Sequence, residues 1–167
     1  MKNIKNIELP AAFFALIITL SSLSLPAYGQ PEHPPRPVSI VVSVIQFLNF
    51  GSFYHYGTGG TVTINSTGSR SVSGDVVQFS GSFSAGLVTV SGNKGTVVSF
   101  IIAPAILNSG ANFIRLDDFT TDPVSVILAA DSPATTSVSI GGTLYIGESS
   151  NPPGNYSGIF SITVVQE

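Results

Sequence analysis

Val38-Ser39-Ile40-Val41-Val42-Ser43-Val44-Ile45 decides the fold class. Val38, Ile40, Val42 and Val44 recur with a period of two, not 3.6. That spacing puts them on one face of a strand and on no single face of a helix. Runs of the same kind follow along the chain: Thr61–Ile64, Val76–Ser80, Leu87–Ser91, Thr96–Ile102, Phe113–Leu116, Val124–Leu128, Ser137–Ile140, Thr143–Ile146 and Ser157–Val165. Turn formers separate them, as at Asn65-Ser66-Thr67-Gly68, Gly92-Asn93-Lys94-Gly95, Asn108-Ser109-Gly110, Gly141-Gly142 and Asn151-Pro152-Pro153-Gly154. Short β-branched runs at such spacing predict a sandwich or barrel. No window carries an amphipathic helical stripe, and Ala103–Asn108 has room for one helical turn at most.

Composition agrees. Only 9% of the 167 residues are charged, against about 25% in an average soluble protein. Helical surfaces usually carry Glu, Lys and Arg, so this scarcity argues against a helical protein. Six Lys plus Arg and a net charge of −3 leave no basic footprint for nucleic acid. The absence of cysteine excludes a disulfide framework, a thiolate zinc site and a thiol nucleophile.

Upstream of the decisive strand, residues 1–29 read as a signal peptide. Lys2 and Lys5 precede an apolar run from Ala11 to Leu20, and Ala27 and Gly29 are the small residues of a cleavage site after Gly29. The run is shorter than the ~20 residues that span a bilayer. Export to the periplasm, cell surface or medium is expected, with membrane contact only through the cleaved leader. Residues 30–37 form a Pro-rich lead-in, extended because proline lacks the amide that helix and sheet require. Residues 38–167 form one β domain. Its basic residues are Arg36, Arg70, Lys94 and Arg115 once the lead-in is counted, so the exported chain stays acidic and charge-poor.

Downstream, Tyr156–Val165 is the most regular segment. Tyr156, Phe160, Ile162 and Val164 share one face, after a Pro-Pro-Gly-Asn corner. A tyrosine at a sandwich corner can tie down the backbone upstream through its hydroxyl.

Groups suited to catalysis are few. His33 lies in the lead-in and His55 in a predicted loop, Phe53-Tyr54-His55-Tyr56-Gly57. No G-x-S-x-G elbow is present. Two histidines without cysteine make no recognisable zinc pattern. Asp117, Asp118 and Asp122 are the densest carboxylates, and an ion there is conceivable. Their spacing matches no calcium loop, so solvated turn residues are the favoured reading. Thr58-Gly59-Gly60-Thr61 and Ser66-Thr67-Gly68-Ser69 read as hairpin turns, because no helix follows to make a phosphate cradle. Asn65 and Asn155 stand in glycosylation sequons. Phe53, Tyr54, His55 and Tyr56 form an aromatic group beside glycines, the best candidate for ligand or carbohydrate contact; ordinary packing is the plainer reading.

Leu48-Asn49-Phe50-Gly51-Ser52-Phe53, Gly60-Thr61-Val62-Thr63-Ile64 with Gly68-Ser69-Arg70, and Gly154-Asn155-Tyr156-Ser157-Gly158-Ile159-Phe160-Ser161-Ile162-Thr163-Val164 occur in that order. Together they resemble the bacterial exported family known as domain of unknown function 4402. The resemblance implies an immunoglobulin-like antiparallel β-sandwich, similar to pilin and spore-coat-U-like subunits, with no catalytic residues and no cofactor to carry over. Pilin-like subunits assemble by donating an N-terminal strand to a neighbour. Val38, Ile40, Val42 and Val44 have the alternation of such a donor, and equally of a first strand paired within its own sandwich. The expectation is an exported non-enzymatic surface structural or adhesive subunit, with itself, other surface subunits or a surface glycan as partner. The alternative is a carbohydrate- or ligand-binding sandwich. A secreted hydrolase centred on His55 and an eight-stranded outer-membrane barrel are weaker readings; the strands are short for a barrel.

Overall fold

A computed structural model describes residues 40–147 and 152–167. The leader, the lead-in with His33, and Val38 lie outside the described residues. Ten strands follow in chain order: β1 (Val41–Gln46), β2 (Phe53–Ile64), β3 (Arg70–Gln78), β4 (Gly86–Ser91), β5 (Val97–Ile102), β6 (Ala105–Ser109), β7 (Asn112–Asp122), β8 (Ser125–Ile127), β9 (Thr136–Ile146) and β10 (Ile162–Gln166). The described residues contain no helix. All pairings are antiparallel.

β9 organises the larger sheet. On one side it pairs with β7, from Arg115↔Tyr145 to Asp122↔Ser139. On the other it pairs first with β4 along Thr136–Ile140 and then with β2 along Gly142–Ile146. β1 extends the sheet beyond β4, β3 beyond β2, and β6 beyond β7. β10, β5 and β8 form a separate three-stranded sheet.

The changeover from β4 to β2 falls at Gly141. A Cβ there would lie 2.5 Å from the Ile64 carbonyl oxygen and 2.7 Å from the Asn65 carbonyl carbon. Only glycine lets the end of β2 approach β9 this closely.

The two sheets are unequal, so the core has two parts. Val88, Val90, Val138 and Ile140 of the large sheet pack with Val98 and Val126 of the small one, helped by Ile102, Ile162 and Val164. This is the immunoglobulin-like β-sandwich, two antiparallel layers joined by alternating inward side chains. The other part lies on the β2–β9–β7 half, around Val62, Ile64, Ile114, Leu116, Leu144 and Ile146. Its partners Leu48, Phe50, Phe53, Tyr156 and Phe160 include residues of connecting segments. Phe119 and Phe160 pack against both parts, with ring centroids 4.9 Å apart.

Several expectations change. Ser137–Ile140 and Thr143–Ile146 are one strand, because Gly141-Gly142 continues the ladder. Ala105–Ser109 is a strand and not a helical turn: pairing with β7 overrides the local preference of Ala, Ile and Leu. Phe53–Tyr56 opens β2 and is not a loop, and Thr58–Thr61 lies inside β2 and is not a hairpin turn. Strand β3 begins at Arg70, well before Val76. Ser66–Ser69 does form the β2–β3 turn, where Asn65 Oδ1 accepts from the Ser69 amide at 2.8 Å.

Adding one methyl at Gly141 should force β2 and β9 apart. Gly141→Ala is expected to cost about 1–3 kcal/mol, the usual range for overpacking. Urea unfolding measures it, and a midpoint equal to that of the parent protein would refute the changeover constraint.

Candidate functional site

The aromatic stretch sits at an irregular part of β2. Phe53, Tyr54 and His55 pair in register with Gln78, Val77 and Val76. The ladder resumes only at Gly60↔Gly74, so Tyr56–Gly59 bulges out opposite Asp75. Asp75 holds the bulge: its Oδ2 accepts from the Thr58 amide at 2.8 Å and the Thr58 hydroxyl at 3.0 Å. Strand alternation divides the quartet. Phe53 and His55 are half-buried on the core side, whereas Tyr54 and Tyr56 are exposed.

Arg70, at the start of β3, fixes the segment that leads into β2. Its Nη1 donates to the carbonyl oxygens of Phe50 at 3.0 Å and Ser52 at 3.3 Å. Its Nη2 donates to the Phe79 carbonyl at 3.0 Å and to Gln78 Oε1 at 3.4 Å. The guanidinium carbon lies 4.6 Å from the Phe83 ring centre, a cation–π contact. Gly51, at φ 72°, lies so close that a Cβ would sit 2.6 Å from Nη1. The LNFG-F and G-S-R segments are thus two halves of one clamp.

Between the segments 48–55 and 152–156 lies a cavity of about 660 Å³. Leu107, Ile114, Leu144 and Ile146 line it from the core side. Phe53, Tyr54 and His55 also line it, but Tyr56 does not. On the opposite wall the Tyr156 hydroxyl donates to the Pro152 carbonyl at 2.8 Å, the corner bond that its position calls for. Asn49 Oδ1 accepts from the Gly51 amide at 2.9 Å.

Ile40, Val42 and Val44 lie at β1. Val42 pairs with Val90 and Val44 with Val88, so these side chains continue the inner face of the sheet. Ile40 is half-buried against the core, but Val42 is 37% and Val44 60% exposed.

The carboxylates are used differently from an ion site. The β7–β9 register shifts between Asp117 and Thr120, where Asp118 takes φ 49°. The bulge brings both aspartates to the Arg115–Tyr145 face. Asp117 pairs with the Arg115 guanidinium, and the Tyr145 hydroxyl donates to Asp118. Asp122 lies farther along β7, opposite Ser139. Among the described residues, no three His, Asp or Glu side chains group as metal ligands.

Sequence reasoning missed Arg70 and Asp75 as organisers. Their signal was scarcity: they are the two charges of β3 in a chain with few charged residues.

Removing the clamp is expected to destabilise the domain. Arg70→Ala should cost about 2–3 kcal/mol, the scale of hydrogen bonds to a charged group, and Arg70→Lys should recover only part of this because an ammonium lacks the planar fork. Urea unfolding of both variants tests it. Tyr145 supplies a pH test. Its hydrogen bond to Asp118, then partial desolvation and the charges of Asp118 and Asp117, raise it above 10.0, against the pull of Arg115. A raised folded value stabilises fully below the unfolded one and is lost as pH climbs through the folded one. The ultraviolet phenolate titration, as a difference against Tyr145→Phe, should therefore move down towards 10.0 in Asp118→Asn.

Neither a curated protein nor a solved structure matches the chain. A family model does, over residues 40–165, so that it covers the clamp, the cavity walls, the β7 bulge and the whole of β1 to β9. The chain belongs to the family described as Domain of unknown function (DUF4402).

Proposed function

We propose that the protein is an exported, non-enzymatic structural or adhesive subunit of the bacterial surface, which assembles by pairing β1 with a neighbouring copy. One observation carries this reading: all six residues of β1 are exposed. Val41 and Ile45 on one face are 52% and 60% exposed, matching the exposure of Val42 and Val44 on the other. The strand pairs with β4 along one edge and, among the described residues, has no neighbouring strand along the other. Its attachment to its own sheet rests on ladder hydrogen bonds, the Gln46 side chain donating to the Ala85 carbonyl at 2.8 Å, and the half-buried Ile40, with little apolar burial.

Such a strand is inexpensive to release, and the β4 edge of a second copy offers it the same register. Exchange of an identical element costs little for that reason. A head-to-tail arrangement then generates a polymer in which the exchanged pairing equals the internal one, so that protein concentration sets the balance between monomer and polymer. The Pro-rich sequence ahead of β1 suits a spacer that lets the strand reach. The scarcity of ionisable groups fits a packing role better than acid–base chemistry.

The chain has no cysteine, so introduced pairs report cleanly. Ser43 lies opposite Thr89 on the outer face of β1 and β4. Under oxidising conditions S43C/T89C should give a ladder of disulfide-linked multimers that grows with protein concentration. A wholly intramolecular disulfide at every concentration would overturn the proposal.

A further inference from the structure

The cavity beside Phe53 shares no residue with β1, and strand pairing gives it no task. About 660 Å³ lies within the range of small-molecule sites, roughly 300–1,000 Å³. The Arg70 clamp holds one wall by its backbone carbonyls, and the Tyr156 hydroxyl holds the other through Pro152. The walls are therefore organised before any ligand arrives, which lowers the entropic cost of binding.

The chemistry of the walls limits the ligand. Among the described residues, no Asp, Glu, Lys or Arg lines the cavity. An anionic ligand would be desolvated there with no Lys or Arg among them to face it, at a high cost. The lining is instead divided between apolar side chains, with Phe53, Leu48 and Leu107 half-buried, and neutral hydrogen-bonding groups, with Asn49, Ser52 and Asn155 exposed. An apolar chain would displace water from the exposed amides and hydroxyl and return no hydrogen bond. A pyranose ring suits both sets, because its C–H face packs on aromatic and aliphatic surfaces while its hydroxyls meet amides at the edge. The geometry points to a binding site for a neutral oligosaccharide, with Phe53 as the ring platform and Asn49, Ser52 and Asn155 as hydroxyl contacts. The volume has room for more than one sugar unit. Tyr54 reaches the rim, and Tyr56, on the outward bulge, takes no part.

The probes are chitotriose, cellotriose, maltotriose and mannotriose at millimolar concentration, with trigalacturonate as the charged control. Binding is followed by amide chemical-shift perturbation on the folded exported chain. At least one neutral trisaccharide should shift the amides of residues 49–55 and 154–156, and trigalacturonate should not. Phe53→Ala should weaken that binding at least about tenfold. Since Phe53 also packs on the core, Asn155→Asp provides a second test on an exposed residue, and it too should weaken binding. Tyr56→Ala should bind like the parent. If no neutral probe shifts these amides, if the shifts map to Tyr56 and the outer face, or if the charged probe binds better, the inference is overturned. None of these outcomes depends on whether β1 polymerises.

Discussion

Everything in the larger sheet depends on how β9 shares its two edges. One edge carries β7 along most of its length, and the other is divided between β4 and β2. That division makes the sheet branch. One half receives the three-stranded sheet as a cover and becomes a true sandwich. The other is covered by connecting segments, which bring less continuous apolar surface than a pleated sheet does. The cavity beside Phe53 lies on the second half. The close approach at Gly141 is the local condition for this arrangement, because a side chain there would push the end of β2 off the shared edge.

The second half therefore needs other means of holding its cover. Arg70 provides them with hydrogen bonds to three backbone carbonyls and a side-chain amide, so that one cation fixes the segment before β2 and the end of β3 together. Asp75 does the same for the bulge that follows, and the Tyr156 hydroxyl for the corner before β10. Each is a polar group holding backbone, where a sheet would have used ladder bonds. This explains why a chain so poor in charge keeps charges at these positions.

Legibility in the sequence follows the same division. Where side chains alternate between a half-buried and an exposed face, the period of two is plain, and of the strand expected over Ser157–Val165 the structure keeps that part, as β10 from Ile162 to Gln166. The Tyr156 corner is legible because its chemistry is local, reaching back only to Pro152. Gly141-Gly142 misleads because glycines that usually end strands here permit a close approach from Ile64, far away in sequence. Ala105–Ser109 misleads because β7 supplies what its residues do not favour alone. The aromatic quartet is found as a group, but its division into an inward and an outward pair depends on a register with β3 that no local pattern announces. The cavity is not legible at all, since its walls come from segments about a hundred residues apart.

The edges of the sheets sharpen the contrast between β1 and the rest. Exposed edges invite unwanted pairing, and proteins blunt them with charge, proline, bulges or brevity. Here β3 carries Arg70, Asp75 and a shifted register. β6 follows Pro104, β8 is three residues long and follows Pro123, and β10 runs into Glu167. β1 reads Val-Val-Ser-Val-Ile-Gln, without charge or proline, and is the first strand of the described residues. The register irregularity it has falls only at its end, between Val44 and Gln46. A chain that protects its other edges and leaves this one apolar on both faces treats it differently, and covering by a neighbouring copy gives that difference a physical reason.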